Sequence, residues 1–276
     1  MTELRRKGGK IGLALGSGAA RGVAHIGVLK VLEREGIHVD MVAGTSMGSL
    51  VGALYAMGKD AGELEEMAVY WGSKRFLLLA DPALPRTGLV RGRKIEDMLK
   101  TTIGDIEFSD LVVPFACVAA DIETGDEVVI KQGLVRRGVR ASSSVPVILK
   151  AVKWGGRYLV DGALTNPVPV NVLKEMGADF IIAVNTTPGV QERLREAEAR
   201  GKEMKAKEPN ILNIVMQMIH IIGYRGLKSS LAGADVVIEP RVTYIGWGDF
   251  HRAHECILEG KLAAQASLPE IRRKLA

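Results

Sequence analysis

Ser46 stands at the centre of Gly44-Thr45-Ser46-Met47-Gly48, a G-x-S-x-G pattern between a short apolar run, Val39 to Ala43, and a helix-like run, Leu50 to Met57. A sharp turn between strand and helix lifts a serine Oγ clear of the backbone, the geometry of a nucleophile in acyl transfer. The glycines on either side, Gly44 and Gly48, relieve crowding and let a substrate approach the main chain. The bland alternative is a plain strand-to-helix turn in which Ser46 only caps the helix. A nucleophilic serine also needs a proton acceptor, usually a histidine and sometimes a carboxylate or lysine. Five histidines are available. His25, His38 and His220 fall inside or at the start of regular elements and read as structural, which leaves His251 and His254. The competing base is Asp161, which ends the run Tyr158-Leu-Val160, although Asp161-Gly162 is also an ordinary turn pair.

The elements that must position these groups alternate strand and helix. Ile11 to Leu15 reads as a buried strand and is followed by the glycine-rich turn Gly16 to Gly22. Apolar residues then recur at helical spacing from Val23 to Leu32, until Gly36 stops the helix. A second strand, His38 to Ala43, delivers the chain to Ser46. Repeated strand–helix units predict a parallel sheet covered by helices, with functional loops at the strand carboxyl ends. Both glycine turns therefore belong on the same sheet edge. In one reading Gly16-x-Gly18, with Asp40 downstream, is a dinucleotide fingerprint, but the third glycine falls at Gly22, one position late. In the favoured reading the loop is an oxyanion hole, whose backbone N–H groups face a developing negative charge. The order Ser46, Asp161, then His251 or His254 would suit an α/β-hydrolase triad, yet Ser46 follows only the second strand, early for that fold.

Further along, helices are expected over 60–72 and 93–104, a two-proline loop over 81–88, and strands over 111–119 and 127–131. Ala141-Ser-Ser-Ser-Val-Pro146 reads as a helix ending before proline, its serines making local hydrogen bonds. Trp154-Gly-Gly-Arg157 is a hairpin turn, and 232–240 a final strand.

Four blocks in order, Leu15-Gly-Ser-Gly-Ala-Ala-Arg-Gly22, Gly44-Thr-Ser-Met-Gly48, Ala141-Ser-Ser-Ser-Val-Pro146 and Asp161-Gly-Ala163, resemble the bacterial patatin-like phospholipase family. The flanking His25-Ile-Gly-Val-Leu-Lys30 and Leu164-Thr-Asn-Pro-Val-Pro169 extend the likeness, which runs from about Lys10 to about Pro240. The resemblance implies a three-layer α/β/α fold with a mostly parallel central sheet, and a Ser–Asp dyad without histidine. Ser46 is then the nucleophile, Asp161 the base, and the amides of Gly18, Ala19 and Met47 the oxyanion hole. Gly16, Arg21, Gly22, Gly44, Gly48 and Gly162 support the motifs. The implied substrates are lipid-like esters, phospholipid or lysophospholipid among them. One departure stands out: where the family has a run of glycines, this chain has Ser17 and Ala19 around Gly18.

Composition sets wider bounds. The 276 residues carry 37 basic and 32 acidic side chains, a net charge of +5, and 47% are hydrophobic. Interspersed charge of this size permits attraction to an anionic membrane without demanding it, and nucleic acid is not expected as a partner. Cys117 and Cys256 lack metal-ligand spacing and read as buried free thiols; no metal or cofactor is called for. The apolar run Ile11 to Leu15 is too short for a signal-peptide core, so a cytoplasmic protein is expected. A single domain over 1–276 is anticipated, with a basic tail over 1–9 and a helical closure over 241–276. Val190 to Glu208 reads as a solvated helix. The apolar stretch after Pro209, to about 223, reads as a core helix; the alternative is a lid touching the inner face of a membrane. A nucleotide-binding protein and a catalytically silent relative remain alternatives to the hydrolase.

Overall fold

The computed structural model describes residues 9–73, 92–187, 189 and 211–276. Most of the basic tail, the two-proline loop and the 190–208 segment lie outside them. In chain order the strands are β1 (Ile11–Leu15), β2 (Met41–Thr45), β3 (Phe115–Asp121), β4 (Glu127–Ile130), β5 (Val152–Trp154), β6 (Arg157–Asp161), β7 (Phe180–Val184) and β8 (Val236–Ile238). The helices are α1 (Ala24–Arg34), α2 (Met47–Ala56), α3 (Ala61–Ser73), α4 (Arg93–Thr102), α5 (Val135–Ser142), α6 (Val170–Glu175), α7 (Ile211–Ser230) and α8 (Ala253–Leu275).

The strands form one mixed sheet in the order β5-β6-β3-β2-β1-β7-β8, with β4 also paired to β3. The β1–β2, β1–β7, β2–β3 and β7–β8 pairs are parallel, whereas β3–β4, β3–β6 and β5–β6 are antiparallel. β1, β2, β3 and β7 are buried along their whole length, as their continuous apolar runs require of strands covered on both faces. Alternation then sorts the side chains. Ile11, Leu13 and Leu15 join the larger core with residues of α1, α2 and α8, while Ala14, Met41 and Ala43 meet Val170, Val172 and Leu173 of α6 on the other face. The result is the expected three-layer α/β/α arrangement.

Local chemistry shifts several boundaries. β2 starts at Met41 rather than His38, because the Asp40 carboxylate turns back to accept the Ile11 N–H at 2.7 Å. β3 starts at Phe115 rather than Leu111, since Val112 and Val113 both donate to the Ala56 carbonyl at the end of α2. The closure after 241 is not helical throughout: 241–249 are turns, with helix only from Phe250. Those turns matter, because they reach back to the first glycine loop.

Candidate active site

β1 and β2 run in register with Leu15 opposite Gly44, so the Gly16–Gly22 loop and Ser46 leave the sheet side by side. Ser46 has φ 54° and ψ −118°, a strained conformation for a residue with a side chain, of the kind that costs about 1–3 kcal/mol. Hydrogen bonds hold it there. Its N–H donates to Ser142 Oγ at 2.9 Å, and its carbonyl accepts from Ser49 Oγ at 2.6 Å and Ser143 Oγ at 3.3 Å. Ser142 Oγ in turn donates to the Val118 carbonyl at 2.6 Å. The serine block read from sequence as local hydrogen-bonders is thus a clamp on Ser46 for two of its members. Only Ser144, whose Oγ donates to the Arg140 carbonyl at 2.7 Å, bonds locally.

β3 explains how Asp161 comes to meet Ser46. Val118 is the register partner of Thr45, and the next residue, Ala119, is the partner of Asp161. One strand therefore aligns the end of parallel β2 with the end of antiparallel β6. Gly162 permits that approach, since a Cβ there would lie 2.2 Å from the Val118 carbonyl oxygen. Ser46 Oγ donates to Asp161 Oδ2 at 2.6 Å, while Asp161 Oδ1 accepts the Ala163 N–H at 2.9 Å. Ser46 is 8% exposed and Asp161 1%. Burial pushes the Asp161 carboxyl up to about 6, against the lowering effect of its bonds to Ser46 and Ala163. Such a carboxylate is a far better proton acceptor than a solvated one.

The glycine loop faces this pair across a cavity of about 220 Å³ lined by Gly18, Ala19, Arg21, Ser46 and Asp161 among others. Its polar groups are tied down from behind. Gly16 and Ser17 donate to the carbonyls of Val184 and Pro167, and Ala20 to that of Trp247. The Ser17 carbonyl accepts from Thr186 Oγ1 at 2.8 Å, and the Gly16 carbonyl from His25 Nε2 at 2.7 Å. Burial lowers His25 to about 4, so its ring stays neutral and acts as a fixed donor. The amides of Gly18, Ala19 and Met47 are bonded to no other described residue. Gly18 must be glycine, because a Cβ would fall 2.3 Å from Thr186 Oγ1. Ala19, by contrast, sits at φ 49°, where an L-residue costs about 1–2 kcal/mol. The chain adopts the glycine conformation there without the glycine. Arg21 is 8% exposed, and its Nε donates to the Ile245 carbonyl at 2.6 Å, tying the loop to the 241–249 turns.

Other expectations change here. His251 and His254 are exposed and do not line the cavity; His254 faces Glu65 at 3.7 Å. The dinucleotide reading loses its acidic residue, since Asp40 lies at the Ile11 end of β1, opposite the loop. His220, read as structural, lines the cavity instead, as do Asn213 and Gln217 from α7. This helix is not the core helix its apolar density suggests. Ile211, Ile214, Met218, Ile221 and Ile222 are 41–69% exposed, while the cavity-lining side mixes Asn213, Gln217 and His220 with Met216 and Ile219 at helical spacing. α7 thus leaves a row of large apolar side chains uncovered, unlike an ordinary surface helix of a globular protein.

Ser142→Ala would leave the Ser46 N–H buried without an acceptor, at a cost of about 1–3 kcal/mol. The expected outcome is a melting temperature lower by several degrees, with turnover reduced at unchanged KM, both measurable on the purified variant.

Residues 13–174, more than half of the chain, match the family model described as patatin-like phospholipase. An uncharacterized NTE family protein of Mycobacterium tuberculosis is 35% identical over 193 residues, covering 68% of this chain and 52% of that protein. Neuropathy target esterase of Drosophila melanogaster is 36% identical over 183 residues, covering 64% of this chain and 13% of that protein. The chain thus spans about half the length, or less, of these curated relatives. VipD from Legionella pneumophila shares the fold with a TM-score of 0.52 at 12% identity, over 95% of this chain and 67% of that one. By the matched family model, which spans the glycine loop, Ser46 and Asp161, the chain belongs to the patatin-like phospholipase family.

Proposed function

We propose that this protein is a serine acyl hydrolase that cleaves the carboxylic ester bonds of lipid-like substrates, such as phospholipids or lysophospholipids. The observation that carries this reading is the 2.6 Å hydrogen bond from Ser46 Oγ to buried Asp161, beside a loop with unengaged amides. Asp161 takes the Ser46 proton as Oγ attacks the ester carbonyl. The resulting oxyanion rests on the N–H groups of Gly18 and Ala19, assisted by Met47 at the start of α2; donors of this kind typically contribute about 2.7–4 kcal/mol each. Collapse of the tetrahedral intermediate expels the alcohol, which receives the proton back from Asp161. Water, deprotonated by the same carboxylate, then releases the acid and restores Ser46. A carboxyl at about 6 suits both directions of transfer near neutral pH.

Labelling with a fluorophosphonate probe followed by peptide mapping tests the assignment. Modification at Ser46, abolished in Ser46→Ala together with p-nitrophenyl ester turnover, is expected. Full esterase activity in Ser46→Ala would refute the mechanism, and absent labelling would favour a nucleotide-binding or catalytically silent protein.

In the same reading α7 is a lid that lies against a lipid surface. Among the described residues no helix is long and apolar enough to cross a membrane, but the outward isoleucines of α7 provide a face for the interface. Ile214→Glu combined with Met218→Glu and Ile222→Glu is expected to cut co-sedimentation with phospholipid vesicles several-fold. Equal recovery of the wild type with and without vesicles would count against the lid.

A further inference from the structure

Away from the dyad, a second cleft of about 310 Å³ opens between α4, α5 and β5. Its lining includes five cations, Arg136, Arg137, Arg140, Lys150 and Lys153, and a single carboxylate, Glu96. A solvated basic face is the ordinary meaning of such a cluster, and Arg136 conforms to it, bonded to Asp105 at 2.6 Å. Lys150 and Lys153 are exposed and belong to the same solvated rim, whereas Arg137 and Arg140 are held by other contacts. Arg137 lies over the Trp154 ring at 5.5 Å and donates to the Lys153 carbonyl at 3.2 Å. Among the described residues, none of Arg137, Lys150 and Lys153 is paired with a carboxylate.

Arg140 at the floor of the cleft is the decisive residue. It is 4% exposed. Its Nη1 donates to Ser144 Oγ at 2.6 Å and its Nη2 to the Lys150 carbonyl at 3.3 Å. Its Nε is buried without a hydrogen-bond partner. The Glu96 carboxylate stands 3.8 Å from that Nε, beyond hydrogen-bond reach, with its side chain more than half exposed. Burial lowers the affinity of this guanidinium for its proton, and the half-solvated Glu96 carboxylate offsets that only in part. A buried N–H donor left unmet is costly, and an arginine fork matches the oxygens of a phosphoryl group.

We propose that this cleft is an anion site that binds a phosphoryl group, with Arg140 as its buried anchor and Arg137, Lys150 and Lys153 as its rim. The group arrives either on a lipid headgroup or on a soluble phosphate compound. The anchor is close to the dyad through bonded neighbours. Ser144, held by Arg140, accepts the Asp161 N–H on its carbonyl at 2.9 Å, and Ser142, two residues along from Arg140, holds the Ser46 N–H.

The test uses calorimetric titration with inorganic phosphate at low ionic strength, in wild type and in Lys150→Glu with Lys153→Glu. Both lysines are exposed, so folding is expected to survive, checked by melting temperature. Arg137→Gln serves as the second variant if it does not. One saturable phosphate site is expected in the wild type, weakened at least about tenfold in the variant. Absent saturable binding, or equal affinity in both proteins, would overturn the site. Co-sedimentation with phosphatidylcholine vesicles, with and without phosphatidic acid, distinguishes the source. A preference for phosphatidic acid lost in the variant assigns the site to headgroups, and phosphate binding with no such preference assigns it to soluble compounds. Neither arm depends on hydrolysis, so the site stands or falls independently of the proposed reaction.

Discussion

Asp161→Asn is expected to be inactive as an ester hydrolase and yet more heat-stable than the wild type at pH 8. The carboxyl is raised from 3.8 to about 6 in the folded protein, with burial as the largest cause. Above pH 6 the folded state holds an anion that water would solvate better. By linkage the folded protein is penalised there by about 3 kcal/mol, since each pH unit between the folded and unfolded values is worth about 1.36 kcal/mol. Below pH 4 the group is protonated in both states and the penalty is gone. It grows as pH rises from about 4 to about 6. Asparagine is neutral throughout and keeps an acceptor for the Ala163 N–H, so its advantage is full above pH 6 and vanishes toward pH 4. Thermal unfolding at the two pH values reads this directly: a gain of several degrees at pH 8 and none at pH 4. A gain that is the same at both pH values would mean that charge burial is not its origin.

Activity moves the other way. Without its proposed base, Ser46 would keep its proton, and loss of kcat/KM by about 10⁴-fold is expected. In the wild type, kcat/KM should fall about tenfold per pH unit below pH 6 as Asp161 becomes protonated. The charge that destabilises the fold is the one that the proposed reaction uses.

Gly48→Ala is expected to destabilise the protein by about 3 kcal/mol or prevent folding. A Cβ at this position would lie 2.1 Å from the Leu15 carbonyl oxygen and 2.6 Å from that of Gly16. Neither can yield, because Leu15 is paired on both sides within the sheet and the Gly16 carbonyl is held by His25. The glycine is needed for close approach and not for an unusual backbone, since Gly48 lies within α2 without a positive φ. Gly52, one turn later, is the control. The nearest atoms to a Cβ there are side-chain carbons, of Phe115 and Val42 at 3.0 Å and Leu15 at 3.5 Å, so Gly52→Ala should change stability by less, within about 1 kcal/mol. Urea unfolding of the two variants separates them; equal losses would make general crowding of α2 the cause.

The strand–glycine–helix units were legible in the sequence because their signals are local. Ile11 to Leu15, the glycine loop, Ser46 between Gly44 and Gly48, and the hairpin at Gly155-Gly156 each follow from runs of a few residues. Parallel pairing of β1 and β2 followed from their order, and placed the loop beside Ser46. The four ordered blocks carried the family, and with it the expectation that Asp161 serves Ser46.

What remained hidden depends on contacts between distant residues. Nothing near Asp161 reveals that β3 offers Val118 to Thr45 and Ala119 to Asp161, yet this register places the two side chains within hydrogen-bond distance. The serine block looked like a helix end because a side chain that bonds its own turn and one that clamps a strained residue 96 positions away have the same local sequence. α7 looked like core because apolar density does not say which face is covered; in the fold Gly223 packs against the Ala163 carbonyl and a row of isoleucines stays outside. Ala19 shows the same division. Its identity is read from the chain, but its φ of 49° is imposed by a loop tied at Gly16, Ser17, Ala20 and Arg21. Local sequence determined which residues were available for chemistry, because turns and helices are short-range structures. Tertiary structure decided which of them meet, because strand register and burial are properties of the whole sheet.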